Sequence, residues 1–292
     1  MKAALFALAA TARAAVLWDG RFNDLSSAKD LNTWSWSNQV GPYQYYIHGS
    51  GSVDKYISLS PDYKNPDDAG STKGAKFTLD STAFWNGQNM RRIELIPQTK
   101  AAIASGKVFY HFSIMRKDAN APSANREHQI CFFESHFTEL KYGWISGESG
   151  TGNPYLQWMT SQNSRWKTEW KAGVWHNVAY EIVSPPTPAP HSPPLQKVAR
   201  ERRRTHQADE SWLDKQDFSG NKVGFWHSEG GDPLKQVVAP VSASTSSNGQ
   251  DWHLGVLELP RSGYSDGVED FYFSGVYIEN GAITTAIGGP KK

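Results

Sequence analysis

The feature that most restricts this chain is a succession of short runs in which apolar and polar side chains alternate, separated by turn residues. The runs are "KYISLS", "GAKFTLD", "RRIELIP", "KVFYHFSIMR", "HQICFFESHF", "YLQWMTS", "WHNVAYEI", "KVGFWHS", "DWHLGVLELP" and "DFYFSGVYIENG". A period of two sends successive side chains to opposite faces of a strand, so these runs predict antiparallel strands with one buried face. No segment holds a 3.6-residue apolar period beyond two turns. Strands without intervening helices predict an all-β chain folded as a β-sandwich or jelly roll. At 292 residues the chain can bury one large core, and no internal repeat divides it.

One stretch departs from this pattern. Residues 183–216, "VSPPTPAPHSPPLQKVARERRRTHQADESWLDKQ", hold six of the sixteen prolines and the Arg202-Arg203-Arg204 run, a composition that predicts a disordered insert. The insert interrupts a hairpin, because "WHNVAYEI" joined directly to "DFSGNKVGFW" makes two alternating strands around Ser219-Gly220-Asn221. It spans thirty-four codons, opens on valine, whose codons begin GT, and closes on glutamine, which CAG encodes. It therefore reads as an intron translated in frame; a basic patch or a polyproline ligand is the alternative. At the N-terminus a Lys, a short Ala/Leu/Phe run and Ala12-Arg13-Ala14 make residues 1–14 read as a secretory signal peptide, too short to span a bilayer. The remainder, 15–292, reads as one domain, secreted and extracellular.

Charge narrows the partners. Thirty basic against twenty-nine acidic residues give +1, which supplies no global field for nucleic acid or an anionic membrane. Aromatic residues reach 13 %, with twelve Trp, and rings in that number suggest stacking surfaces as well as core. Cys131, the only cysteine, can form no internal disulfide, and its apolar neighbours predict a buried, inert thiol. No zinc or calcium spacing, phosphate loop or nucleophile elbow is present, so neither metal nor cofactor is expected.

The stretch "EHQICFFESHFTELK" sets three glutamates and two histidines among aromatic residues. Read as one extended strand, it places His128, Ile130, Phe132, Glu134 and His136 on one face and Gln129, Cys131, Phe133, Ser135 and Phe137 on a core face. In "NMRRIELIPQ", Arg92 and Glu94 share a face opposite Ile93 and Leu95. Two carboxylates from neighbouring strands facing one groove are what glycosidic hydrolysis requires, one as acid and one as base or nucleophile. Glu94 with Glu134 is the preferred pair. Glu134 with Glu139 is the alternative, because "ESHFTE" follows the outline of a bulged strand that carries both groups. Sugar rings stack on indoles while amides and imidazoles bind hydroxyls, so Trp36, Gln44, Tyr46, His48, His128, Trp158 and His253 are candidate substrate contacts. Each such residue also has an ordinary structural reading, as a solvated strand face or as core.

Taken together, "VLWDGRFND", "TWSWSNQVGPYQYYIHGSG", "YKNP", "RRIELIPQT", "FYHFSI", "EHQICFFESHFTELKYG", "DWHLG" and "FSGVYIENGAITTAI" resemble the catalytic domain of glycoside hydrolase family 131, secreted fungal β-glucanases. The resemblance runs from Val16 to about Pro290 apart from 183–216. It implies a β-jelly roll with an open substrate cleft, no cofactor, and inverting hydrolysis of β-1,3, β-1,6 and β-1,4 glucan in fungal or plant cell walls. Glu94 and Glu134 match the family's candidate catalytic glutamates. The fold also resembles glucuronan lyases, a rival reading for which Arg92, His136 and Lys141 could be drafted; a non-catalytic glucan-binding module is the second rival.

Overall fold

The computed structural model describes residues 14–184, 221–243, 247, 249 and 251–290. Among them are fifteen strands: β1 (Ala15–Asp19), β2 (Tyr43–Ile47), β3 (Ile57–Ser60), β4 (Gly74–Leu79), β5 (Arg91–Pro97), β6 (Lys107–Met115), β7 (His128–Phe133), β8 (Thr138–Tyr142), β9 (Tyr155–Thr160), β10 (Asn163–Glu169), β11 (His176–Val183), β12 (Lys222–Glu229), β13 (Lys235–Ser242), β14 (Trp252–Glu258) and β15 (Glu269–Asn280). All pair antiparallel. One sheet runs β13-β12-β11-β6-β15-β4-β3 with β1 also on β15; the other runs β10-β9-β8-β7-β14-β5-β2. The two stack as an all-β jelly-roll sandwich, as the alternation predicts. Helix is confined to one α turn, Val53–Tyr56, and three short 3-10 segments among the described residues. That α turn takes Lys55 and Tyr56 out of the expected strand, because the Tyr56 hydroxyl accepts from Gly51 N and donates to Thr82 O, folding the segment back.

The core forms where the inner faces meet. Ile93 and Leu95 of β5, Leu254 and Val256 of β14, Phe271 and Phe273 of β15 and Tyr110 and Phe112 of β6 are fully buried there. Aromatic contacts tie the layers: Tyr110 meets Phe133 and Trp252 edge-on, both at 5.1 Å. Cys131 is buried in the same cluster, and burial pushes its thiol well above the ordinary range, so it is inert as expected.

β11 and β12 pair from His176 opposite Glu229 to Val183 opposite Lys222. The two runs expected to make a hairpin are thus neighbours. Val183, assigned above to the insert, is the last residue of β11; residues 185–216 of the insert, Ser219 and Gly220 of the expected turn, and residues 1–13 lie outside the described residues.

The register between β7 and β14 corrects the alternation read from the sequence. Phe132 lies opposite His253 and Ile130 opposite Val256, so β14 carries one extra residue here. Cys131 takes φ +48°, and both Ile130 and Cys131 face the core. The pleat of β7 slips at this bulge. His128 and Ile130 therefore point into the sandwich, and only Phe132 of the expected outer set remains on the outer face within the strand. β7 also ends at Phe133: His136 N donates to Phe133 O at 2.7 Å, and His136 sits at φ +50°, so Glu134 to His136 form a turn into β8.

Candidate active site

The outer face of the seven-stranded sheet, opposite Ile93 and Leu95, gathers the acidic and imidazole side chains around β5, β14 and the β7–β8 turn. Arg92 and Glu94 leave β5 on this face as alternation dictates. The Arg92 guanidinium grips the Glu94 carboxylate as a fork, Nε to Oε1 at 2.6 Å and Nη2 to Oε2 at 2.8 Å. His253 Nδ1 donates to the same Oε2 at 2.5 Å. Glu94 is wholly enclosed, and both its oxygens are engaged. On its other side, His253 Nε2 lies 3.3 Å from Glu134 Oε2. Glu134 is the exposed member, its side chain 66 % accessible, because the turn lifts it off the sheet while its N–H stays bonded to Asp251 O. Glu94, His253 and Glu134 form a line from the sheet to solvent.

Electrostatics follow from this geometry. Burial opposes charge on His253, but hydrogen bonds to Glu134 and Glu94 and both their charges outweigh it and raise its pKa to about 9, so the ring is an imidazolium at neutral pH. The hydrogen bond from His253 in turn holds the Glu134 carboxyl below the ordinary range, against partial burial, with Arg92 and His136 adding attraction. Tyr46 is raised by burial first, then by Glu94 and Glu134, which puts its hydroxyl within the field of both.

Phe132 lies between the His253 ring and the ring of His136. His253 stacks on it at 4.6 Å and His136 at 5.2 Å, nearly parallel. His136 Nδ1 is bonded to Glu139 Oε2 at 3.0 Å, and Glu139 is also fully buried. Lys141 Nζ reaches Glu127 Oε1 at 2.7 Å, Gln162 Oε1 at 2.9 Å and Glu139 at 3.6 Å. Glu134 is thus flanked by two histidines, each backed by a buried glutamate.

An aromatic row leads away from the acids. Trp85 lies under the Arg92 guanidinium at 5.5 Å and 6.1 Å from Tyr46. Tyr46 meets Trp36 at 4.4 Å and Trp34 at 5.7 Å. Trp36 is 64 % exposed, a large indole left to solvent beside a charged site. Gln44 donates to Ser35 O at 3.4 Å, and Gln98 to Asn38 O at 3.0 Å, so these amides hold the loop that presents Trp36.

Of the residues singled out from sequence, Glu94, Glu134, His136, Glu139, Arg92, Trp36, Tyr46 and His253 come together here, with Gln44 as support of the loop. Three do not. His128 is buried within the sandwich against Glu269 at 2.7 Å, because of the β7 slip. Trp158 is fully buried, stacked on Phe225 at 4.9 Å with Nε1 bonded to Thr138 Oγ1. Its turn of the β9 pleat faces the core, so it is structural. His48 packs on Tyr45 and Tyr56, with Nδ1 bonded to Gly49 O, apart from the aromatic row. Trp85 and Phe132 were not singled out. An indole just ahead of the Asn86-Gly87 turn was a usable signal for Trp85; alternation already puts Phe132 on the outer face, but nothing in the sequence gives its ring a role there.

The family described as "Glycoside hydrolase 131 catalytic N-terminal domain" matches residues 16–284. This chain belongs to glycoside hydrolase family 131. It is similar to the crystal structure of a GH131 beta-glucanase catalytic domain from Podospora anserina, at 60 % identity and TM-score 0.81, covering 94 % of this chain and 100 % of that one. It is also similar to the catalytic domain of the glycoside hydrolase family 131 protein from Coprinopsis cinerea, at 42 % identity and TM-score 0.76, covering 94 % and 99 %. No curated protein sequence matches it. A glycosidase of this family implies a polysaccharide substrate, and the outer face sets carboxylates beside the exposed ring of Trp36.

Proposed function

We propose that this glycosidase is a secreted β-glucanase that cleaves β-1,3, β-1,6 and β-1,4 glucosidic bonds with inversion, using Glu134 and Glu94. The observation that carries the reading is the Glu94–His253–Glu134 line beside exposed Trp36 and half-buried Tyr46; the relative at 60 % identity, itself described as a beta-glucanase, points the same way. Glu134 is the carboxylate that meets substrate, since it alone of the two reaches solvent, and its lowered pKa keeps it ionised, the form that can take a proton from water. Glu94 is a positioning residue that acts through His253, holding the imidazolium that faces Glu134. Exposed Glu134 returns the proton taken from the attacking water to solvent, and the leaving oxygen is protonated from the opposite side of the sugar, so that one water is consumed per bond cleaved.

Reducing-sugar release from laminarin and cello-oligosaccharides tests this. Glu134→Gln is expected to lower kcat by about 10²–10⁴-fold, the usual weight of a general base. Glu94→Gln is expected to lower kcat and displace the pH profile while leaving KM nearly unchanged. Full activity in both variants defeats the assignment, and a product absorbing in the ultraviolet identifies a lyase instead. Residues 1–14 as a signal peptide predict that the secreted product begins at Ala15, which N-terminal sequencing checks.

A further inference from the structure

Among the described residues two clusters outside the active site bring three nitrogen or carboxylate donors together: His128 with Glu258 and Glu269, and His176 with His227 and Glu229. The first is already neutralised. Arg91 contacts both of its glutamates and Arg126 contacts Glu258, and two buried guanidiniums leave no place for a further cation. The second cluster joins two imidazoles and one carboxylate, with no guanidinium on any of the three among the described residues.

Strand register creates this second cluster. His176 lies directly opposite Glu229 across β11 and β12, and His227 precedes Glu229 by two residues on the same strand. All three side chains therefore leave on one face of the sheet. His176 Nδ1 is 3.0 Å from His227 Nε2 and 3.8 Å from Glu229 Oε1. The imidazole spacing is within roughly a few tenths of an ångström of that which two Zn–N bonds of about 2.0–2.1 Å subtend at a tetrahedral centre. Both rings are buried, and Trp166 of the facing sheet walls the His227 ring at 4.4 Å. The Glu229 side chain is 53 % accessible, so the cluster is closed behind the rings and open to water beside the carboxylate. The direct contact between the rings shares one proton and leaves His176 Nε2 buried without a partner.

We propose that His176, His227 and Glu229 bind one zinc-type divalent cation that clamps the end of the β11–β12 hairpin. Two imidazoles and a glutamate are a donor set that zinc accepts with a position left for water, whereas calcium and magnesium prefer oxygen cages. The cation replaces the proton between the rings and joins two strands of the sheet that does not carry the candidate active site. This site is independent of the glucanase reading and serves stability.

Calorimetric titration of Zn2+ into the tag-free full chain tests it, with thermal unfolding as the second readout. The expected result is a saturable site of one cation per chain and an unfolding midpoint that rises with Zn2+ concentration. Glu229→Gln alters an exposed side chain and should keep the metal-free midpoint of the parent while weakening Zn2+ binding at least about tenfold; His227→Asn, which removes an imidazole ligand, should weaken it more than the about 10–100-fold typical of a lost supporting partner. Absence of saturable binding overturns the proposal. So does Zn2+ affinity that is equal in the parent and both variants, since the cation would then sit on other histidines.

Discussion

His253 carries charge although it is nearly enclosed, and that charge depends on two glutamates. Its pKa of about 9 stands above the ordinary imidazole value of 6.5. A group whose folded pKa is raised contributes stability that is fully present below the unfolded value and is lost as pH rises through the folded one. The window is therefore pH 6.5 to about 9, and a shift of this size corresponds to roughly 3 kcal/mol. Glu134 works in the opposite sense: its lowered pKa gives a contribution present above the ordinary carboxylate range and lost as pH falls through the depressed value. Activity is accordingly expected to hold a plateau through neutrality and to fall on an alkaline limb near pH 9, where the imidazolium facing Glu134 is lost. His253→Asn should remove that limb and lower kcat at least about tenfold. Initial rates on laminarin across pH check both; an unchanged alkaline limb in the variant would detach His253 from turnover. Glu94, Arg92 and Glu134 were legible as site candidates because side-chain direction along β5 obeys a simple period. The role of Glu94 was not, since nothing in "RRIEL" shows that an imidazole from β14 covers it.

At the scale of elements, the bulge between β7 and β14 decides which side chains reach the active face. Gly255 sits in it at φ +150°, and a Cβ there would lie 2.0 Å from Ile93 O on β5. Only glycine lets β14 approach β5 this closely, and that approach brings His253 to Glu94. Gly255→Ala is expected to destabilise the fold by about 1–3 kcal/mol, the scale of a backbone held in an unfavourable conformation, and to lower kcat by lengthening the His253–Glu94 contact. Denaturant unfolding and initial rates check this; parent-like stability with normal kcat would mean the bulge tolerates a side chain. The strands themselves were legible, because runs such as "RRIELIP" set apolar residues two apart between turn residues. The bulge was not, since the unbroken apolar run "ICFF" gives no period that would reveal which residues face the core, and the chain slips at Cys131. The isolated glycine of "HLGVL" was the available hint.

At the scale of the whole molecule, the sandwich is apolar through most of its thickness and charged at one end. Glu269 on β15 belongs to one sheet, while Arg91 on β5, His128 on β7 and Glu258 on β14 belong to the other. Glu269 accepts from Ser123 N at 3.0 Å, faces His128 at 2.7 Å and lies 3.6 Å from Arg91, so these ions join the layers. No local pattern announces such a network, which depends on how two sheets are stacked; this is why His128 reads from sequence as part of the cleft. Removing one partner leaves buried charge unmatched, so Glu269→Gln is expected to cost about 3–5 kcal/mol. The pH dependence has a definite sign. Burial opposes charge on His128, but Glu269 outweighs it and raises the imidazole, so that contribution is lost on the alkaline side. The Glu269 carboxyl is held low against burial, chiefly by His128, and its contribution is lost on the acid side. Both are fully present between about pH 4.3 and 6.5, the ordinary values of the two groups. Urea unfolding across pH should therefore show a stability maximum in that window, and Glu269→Gln should flatten it. A parent-like pH dependence in the variant would place the junction between the sheets in the apolar core alone.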